Sequence, residues 1–512
     1  MVFNSFVFLL FFPLVAVVYF FLTMRIGLHH KALSNTISQF FLLAASFIFY
    51  GYWNPAYLVL ILISVAVTWA SGLLMEGRNI REKRLVLIAS LVINLGILFF
   101  FKYYGFFAET AGFLSSGGIQ FPSFNVLLPV GISFYTFQAL GYSIDVYYGR
   151  VQAERNFITY ALFVTFFPQL VAGPIERSGN LLPQFKVNYE FDYDRVTSGL
   201  RLAAWGMFKK VVIADRLAIY VNGVFGTPEV YNGTSLALAV FFFAFQIYCD
   251  FSGYSDIAIG CARVLGFNLI TNFRQPYFSR SITEFWRRWH ISLSTWLKDY
   301  IYIPLGGNRK GEARKHLNLL ITFLLSGLWH GAAWHFVVWG ALHAIYQIIG
   351  RSTEPFRNAL GRKVGLPEES RLRKIIQICI TFTLACFAWI FFRANTMQDA
   401  FLIIAKLAWL PAELAGYVRG FSQSGIIETI RNAFQMGDDV ANSINGFGLA
   451  EFGLSGIFIA ILLIADVLMW KMPEKILKQK PLVLRWAGYY ALLLAILLSW
   501  NTGSSQFIYF DF

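Results

Sequence analysis

Two histidines and two aspartates sit in parts of this chain where ionisable groups are costly. His330 lies in the stretch SGLWHG (326–331), inside an apolar run covering 319–349. That run is longer than one membrane crossing needs. It reads as a strongly tilted helix or as two helices broken around Gly327 and Gly331. Either way His330 is an ionisable group at membrane depth, flanked by glycines that let a ligand or another backbone approach closely. A neutral histidine in a water-poor cavity can act as general base towards a hydroxyl nucleophile. The plainer alternative is a core histidine bonded to a carbonyl, and the intramembrane position favours the functional reading.

His290 lies in SITEFWRRWHISLSTWLKDY (281–300). A helical period puts Trp286, Trp289, Leu293, Trp296, Leu297 and Tyr300 on one stripe, with Arg287, Ser294, Thr295, Lys298 and Asp299 facing away. Such a helix is expected at an interface or along a wet cavity rather than spanning. His290 falls at the edge of the stripe, and spacing alone favours a segment that anchors at the membrane surface. Asp250 and Asp256 lie in YCDFSGYSD (248–256), inside or beside another apolar run. Each either pairs with a nearby arginine and fixes helix packing or takes a direct catalytic role.

No metal site is expected. His330 and His335 are five apart and project to different helix faces, while His335 and His343 share a face with no neighbouring carboxylate. No nucleophile elbow, Walker loop or dinucleotide fingerprint is present.

The elements that must carry these residues are membrane helices. Of 512 residues, 57% are hydrophobic, 18% aromatic and only 14% charged, against roughly a quarter charged in an ordinary soluble chain. Apolar runs lie at 2–24, 38–53, 57–74, 85–101, 127–146, 157–171, 236–259, 319–349, 375–392, 454–470 and 489–500. Counting interrupted and re-entrant runs, the pattern predicts an all-α integral membrane protein of about eleven to thirteen segments. Runs this long exclude the alternation of barrel strands.

The net charge of +14 is spread over short loops between spans, as the positive-inside rule requires, and does not form a nucleic-acid patch. Basic loops could also attract an anionic donor. The rule places the loop with Arg25 and Lys31, the loop 76–84, and the segments 351–374 and 471–485 in the cytoplasm. Segment 406–451, leaning acidic, then lies outside, as do the N-terminus and the tail 501–512. The first run lacks a basic n-region and reads as a retained span. Cys249, Cys261, Cys379 and Cys386 lie in apolar stretches without paired spacing, which indicates small buried hydrophobes rather than a disulfide framework. No linker or repeat divides residues 1–512, so a single membrane domain is expected, with its motif-bearing core at 128–349.

At these residues the sequence resembles the membrane-bound O-acyltransferase (MBOAT) superfamily, in particular the membrane subunits that O-acetylate alginate and peptidoglycan. The resemblance is carried by LPVGISF (128–134), FPQLVAGP (167–174), FSGYSD (251–256), QPY (275–277), residues 281–300, GGNR (306–309) and LWHG (328–331). It implies a ring of tilted and re-entrant helices around a funnel or tunnel in a bacterial inner membrane. His330 would be catalytic, and His290 would sit at the second polar position of the site. The donor would be acetyl-coenzyme A from the cytoplasm, with no bound cofactor. A separate extracytoplasmic enzyme would complete transfer to a polysaccharide acceptor. Arg287, Arg288, Asn308 and Arg309 could bind donor phosphates, with interfacial anchoring as the alternative. Asp250, Tyr254, Asp256 and Trp329 could contribute to donor or acceptor binding. Transfer of D-alanyl, lipid or protein acyl groups is the variant within the superfamily. A transporter is the competing class, but the chain has no pair of halves with corresponding interruptions.

The last six residues, FIYFDF (507–512), are apolar and aromatic, unlike an ordinary exposed terminus. They resemble a C-terminal aromatic–tyrosine–aromatic signature of envelope acylation systems, which implies that Tyr509 carries the acyl group in transit. A hydrophobic anchor for the tail is the alternative.

Overall fold

The computed structural model describes every residue except 28–29, 116–120, 123, 125–126, 436–446, 472–480, 501–506 and 509–512. Among the described residues the architecture is helical, with no β-strand. With no water in hydrocarbon to receive backbone groups, helices satisfy their own N–H and C=O groups, so the apolar runs fold this way. Among the described residues, eight helices are long and apolar enough to cross a membrane. They include Phe6–Gly27, Lys31–Gly51, Tyr57–Met75, Gly233–Leu265, Arg371–Arg393 and Leu482–Ser499. A bent pair, Met397–Leu407 with Leu410–Arg419, makes a ninth if counted as one broken span. Segment 406–451, expected as an outside excursion with little apolar character, thus begins with helix. The runs at 127–146 and 157–171 become shorter helices, Ile132–Tyr147 and Phe157–Thr165. Outward-facing apolar side chains such as Leu10, Val17, Val92 and Leu497 are more than 60% exposed, as lipid-facing residues are.

The 33-residue helix Gly233–Leu265 is the axis of the molecule and is buried along most of its length. Its N-terminus is capped by Asn232, which accepts from the Ser235 N–H, and by Glu413, which accepts from the N–H groups of Gly233 and Thr234. Such caps satisfy orphan donors at a buried helix end.

Against this axis runs Tyr193–Met207, in the opposite direction, along a seam of glycines. A Cβ on Gly206 would lie 2.5 Å from the Gly253 oxygen, and one on Gly199 would lie 2.7 Å from the Gly260 oxygen. Both pairs are seven residues apart, so two backbones touch over two turns, as small residues allow in membrane helices. The seam brings the widened π-turn Phe208–Ala214 against the aspartate-bearing face of the axis. Gly206→Val is expected to overpack this crossing, since carbonyl oxygen and backbone cannot yield as a side chain would. A loss of about 1–3 kcal/mol should appear as an earlier thermal transition of the purified protein in detergent. An unchanged transition would mean that the seam is not closed.

The apolar run 319–349 is a helical hairpin rather than one tilted helix. Glu312–His330 and Trp334–Ser352 are joined by a three-residue turn. A Cβ on Gly327 would meet the Phe336 oxygen at 2.2 Å, and one on Gly340 would meet the Phe323 oxygen at the same distance. The paired glycines let the two arms pack backbone to backbone and put His330 at the hairpin's tip.

Candidate active site

The local fold at His290 differs from the single amphipathic helix that the period suggests. Ile282–Arg288 and Ile291–Leu297 are separate helices, and between them His290 adopts a left-handed backbone at φ 43°, ψ 55°. That region is sparsely used by non-glycine residues, although histidine is among those that enter it. The break is held by Asn272: its carbonyl accepts from the Ile291 N–H at 3.0 Å, and its Oδ1 accepts from the Ser292 N–H at 3.2 Å and the Ser292 hydroxyl at 3.0 Å. The stripe of Trp286, Trp289, Leu293, Trp296 and Leu297 is buried, and so is His290, which is fully enclosed. This overturns the surface-anchor reading. A helix kinked at His290 turns its aromatic stripe inward, where it packs on Tyr248, Tyr277, Phe137 and Trp389.

Asn272 also fixes the histidine's tautomer. Its Oδ1 lies 3.3 Å from His290 Nδ1, and an oxygen can only accept there, so Nδ1 carries the proton. The lone pair is then on Nε2, which has no hydrogen-bond partner among the described residues.

His330 is 2% exposed. Its ring packs edge-on against Trp339 and Trp329, each at 4.9 Å, and against Phe392 at 5.3 Å. The centroids of His330 and His290 are 6.3 Å apart, and Trp329 touches both rings. Two histidines 40 positions apart in sequence therefore share one aromatic-walled site.

The backbone behind His330 is secured from a distant helix. Helix Ile80–Leu98 continues through a π-turn, Phe99–Tyr103, into Tyr104–Leu114. The wider turn aims Lys102 and Tyr103 at the end of the His330 helix. Lys102 Nζ donates to the carbonyls of Trp329 at 2.8 Å and His330 at 3.2 Å, and the Tyr103 hydroxyl donates to Leu328 at 2.9 Å. These are the orphan carbonyls of a helix C-terminus, where a cation is also favoured by the helix dipole. Lys102, Ser133, Trp329 and His330 line a pocket with the 128–134 motif and Val171, about 450 Å³ including its open mouth. One consequence is testable. Lys102→Met keeps the length of the side chain but leaves the last carbonyls of the His330 helix without their donor. Activity is expected to fall about a hundredfold, the scale of a small misplacement of a reacting group, with yield largely retained. Wild-type rates in that variant would exclude a positioning role for Lys102.

The aspartates of 248–256 form a second cluster. Their partners are lysines of the π-turn Phe208–Ala214, not arginines. Lys209 Nζ meets Asp256 at 2.6 Å and Ser252 Oγ at 2.9 Å; Lys210 Nζ meets Asp250 at 2.5 Å and Asp215 at 2.9 Å. Tyr248 donates to Asp466 at 2.9 Å. The Lys210–Asp250 pair is buried on both sides, and such a pair is costly to break by removing one partner. The cluster adjoins the histidines through Phe251, whose ring meets His290 edge-on at 4.6 Å. Tyr254 is buried and stacks on Phe3 at 4.4 Å.

Arg287, Asn308 and Arg309 are exposed. Arg288 is committed to the Glu284 carboxylate and to the Gln275 carbonyl. Tyr509 lies outside the described residues.

A buried histidine pair, one member of it at the tip of a helical hairpin, lies in an all-helical architecture with eight helices among the described residues long and apolar enough to cross a membrane, and comparison supplies the class. Residues 152–394 match the model of the membrane-bound O-acyltransferase family. The chain belongs to this family. It is 40% identical to "Probable alginate O-acetylase AlgI" of Pseudomonas syringae pv. tomato, over 78% of this chain and 74% of that protein. It is 35% identical to the peptidoglycan O-acetyltransferase of Helicobacter pylori, over 77% and 80%. At 26% identity it resembles the teichoic acid D-alanyltransferase of Bacillus subtilis, over 56% and 74%. The chain is thus an O-acyltransferase and a multi-pass membrane protein.

Proposed function

We propose that this enzyme takes an acetyl group from acetyl-coenzyme A on the cytoplasmic side of a bacterial inner membrane and delivers it for O-acetylation of an extracytoplasmic polysaccharide. The observation that carries the proposal is the enclosed pair His330 and His290, 6.3 Å apart between ring centroids. The pair adjoins a pocket that reaches His330. Relatives whose names specify acetyl transfer to alginate and peptidoglycan favour acetyl and a sugar acceptor.

The chemistry is acyl transfer through a tetrahedral intermediate. His330 accepts the proton of an attacking hydroxyl as its oxygen bonds to the thioester carbonyl carbon. The C–S bond then breaks, the thiolate takes a proton, and an ester remains on the hydroxyl. His290 supports this by accepting a hydrogen bond at Nε2 from the acceptor. Exposed Arg287, Asn308 and Arg309 would meet the donor's phosphates from the cytoplasmic side. Arg288, Asp250, Tyr254 and Asp256 act on the site through structure rather than by touching the donor. The first hydroxyl to be acylated is that of Tyr509 in the C-terminal tail. A phenolate leaves more readily than a sugar alkoxide, so a tyrosyl ester passes acetyl onward to an extracytoplasmic partner enzyme. The positive-inside pattern, with both termini outside, supports that direction.

Inverted membrane vesicles supplied with acetyl-labelled coenzyme A thioester test the reading. Label should move into a base-labile ester on the polymer inside the vesicles. Label that moves only from a D-alanyl thioester, or not at all, would overturn the acetyl assignment.

A further inference from the structure

The chain returns to its own interior after its last helix. Phe507 and Ile508 are 2% and 7% exposed. The Phe507 ring lies 4.8 Å from Tyr254 and 5.7 Å from Phe251, the residue whose ring meets His290. The Ile508 N–H donates to Asp250 Oδ2 at 2.8 Å, while Oδ1 of the same carboxylate meets Lys210 at 2.5 Å. Asp250 is itself buried, on the central helix. Lys210 fixes one oxygen of this carboxylate and thereby aims the other at the tail.

We propose that Asp250 is the latch of the C-terminal segment, a positioning residue that holds the main chain at Ile508 beside the histidine site. A hydrogen bond to an ionised carboxylate is roughly twice as strong as a neutral one, and a dry surrounding strengthens it further. The donor is a backbone N–H, so the latch reads the path of the chain and not the side chain at 508. Register comes from Phe507, whose ring occupies the slot between Phe251 and Tyr254. Any apolar residue at 508 satisfies the arrangement except proline, which has no N–H to give. The functional consequence, presenting Tyr509 for acylation, rests on the relay proposed above; the contact itself does not.

The test uses the full-length protein purified in detergent, with Cys379 and Cys386 replaced by alanine and Phe507→Cys as reporter. A water-soluble maleimide should modify this cysteine slowly. Adding Ile508→Pro is expected to raise the rate about tenfold or more, as should Asp250→Ala. Ile508→Pro leaves the lysine–aspartate cluster untouched, so it decides the matter even where Asp250→Ala fails to fold. Unchanged modification with Ile508→Pro would overturn the latch. Polymer acetylation, measured in cells carrying Ile508→Pro without the reporter, separates the two ideas. A released tail with full acetylation refutes the relay and keeps the latch. A protected tail refutes the latch whatever the activity.

Discussion

Replacing His330 by alanine is expected to abolish O-acetylation of the envelope polymer, while insertion into the membrane continues. A positioned general base contributes about 10²–10⁴-fold, so the residual rate should lie between about a hundredth and a ten-thousandth of wild type. Alanine also removes a ring packed against Trp329, Trp339 and Phe392, and the resulting cavity could lower stability. His330→Gln separates the two effects, since it fills much of the space and keeps hydrogen-bonding capacity but cannot take a proton. Both variants should be equally inactive and differ in thermal transition. Appreciable activity in His330→Gln would mean that the residue packs and orients but does not act as base.

His290 provides the internal comparison. Its Nδ1 is held by Asn272, and its proposed part is to orient the acceptor. His290→Ala should therefore lose less, about 10–100-fold, on the scale of an orienting contact. His290→Asn retains a hydrogen-bonding group and should keep more activity than alanine. An alanine variant indistinguishable from wild type would remove His290 from the site altogether.

What could be read from the sequence follows from how local each signal is. His330 was legible because an ionisable residue between glycines in an apolar run is anomalous within a few positions, and the same run showed its own break. His290 was legible as a candidate, but its burial was not. A helical period assumes continuous helix, and the left-handed turn at His290 depends on Asn272, which shows no more in sequence than a polar loop residue. Lys102 carries a signal that lies just past the apolar run 85–101: the helix passes through it in a wider turn and continues to Leu114. A lysine within a 35-residue apolar helical stretch is itself a candidate on the cost of burying charge. Lys209 and Lys210 gave the same signal beside the glycine seam. No local pattern could reveal which carboxylate each lysine takes, because those pairings span from 5 to 47 residues. Nor could it show that Phe507 returns to residues some 250 positions earlier.

The tail therefore carries the second large effect. Tyr509→Phe keeps an aromatic ring of nearly the same size and removes only the hydroxyl, so a tail that serves as an anchor would tolerate it. Under the relay reading that hydroxyl is the first acyl acceptor, and its loss leaves the thioester with no nucleophile on the chain. Polymer acetylation should then fall to background, about as far as with His330→Gln, while yield and thermal transition match wild type. Phe507 and Ile508 favour this outcome, because Phe507 packs on Phe251 and Tyr254 and Asp250 holds the N–H of Ile508, the residue next in sequence to Tyr509. Two further measurements distinguish a relay from an indirect effect. Wild-type protein incubated with labelled acetyl-coenzyme A should carry label that hydroxylamine releases, as it releases a phenolic ester, and Tyr509→Phe should carry none. His330→Gln should also remain unlabelled, because the base precedes the ester. Full polymer acetylation in Tyr509→Phe would leave the tail an anchor and require the acceptor hydroxyl to reach His330 directly.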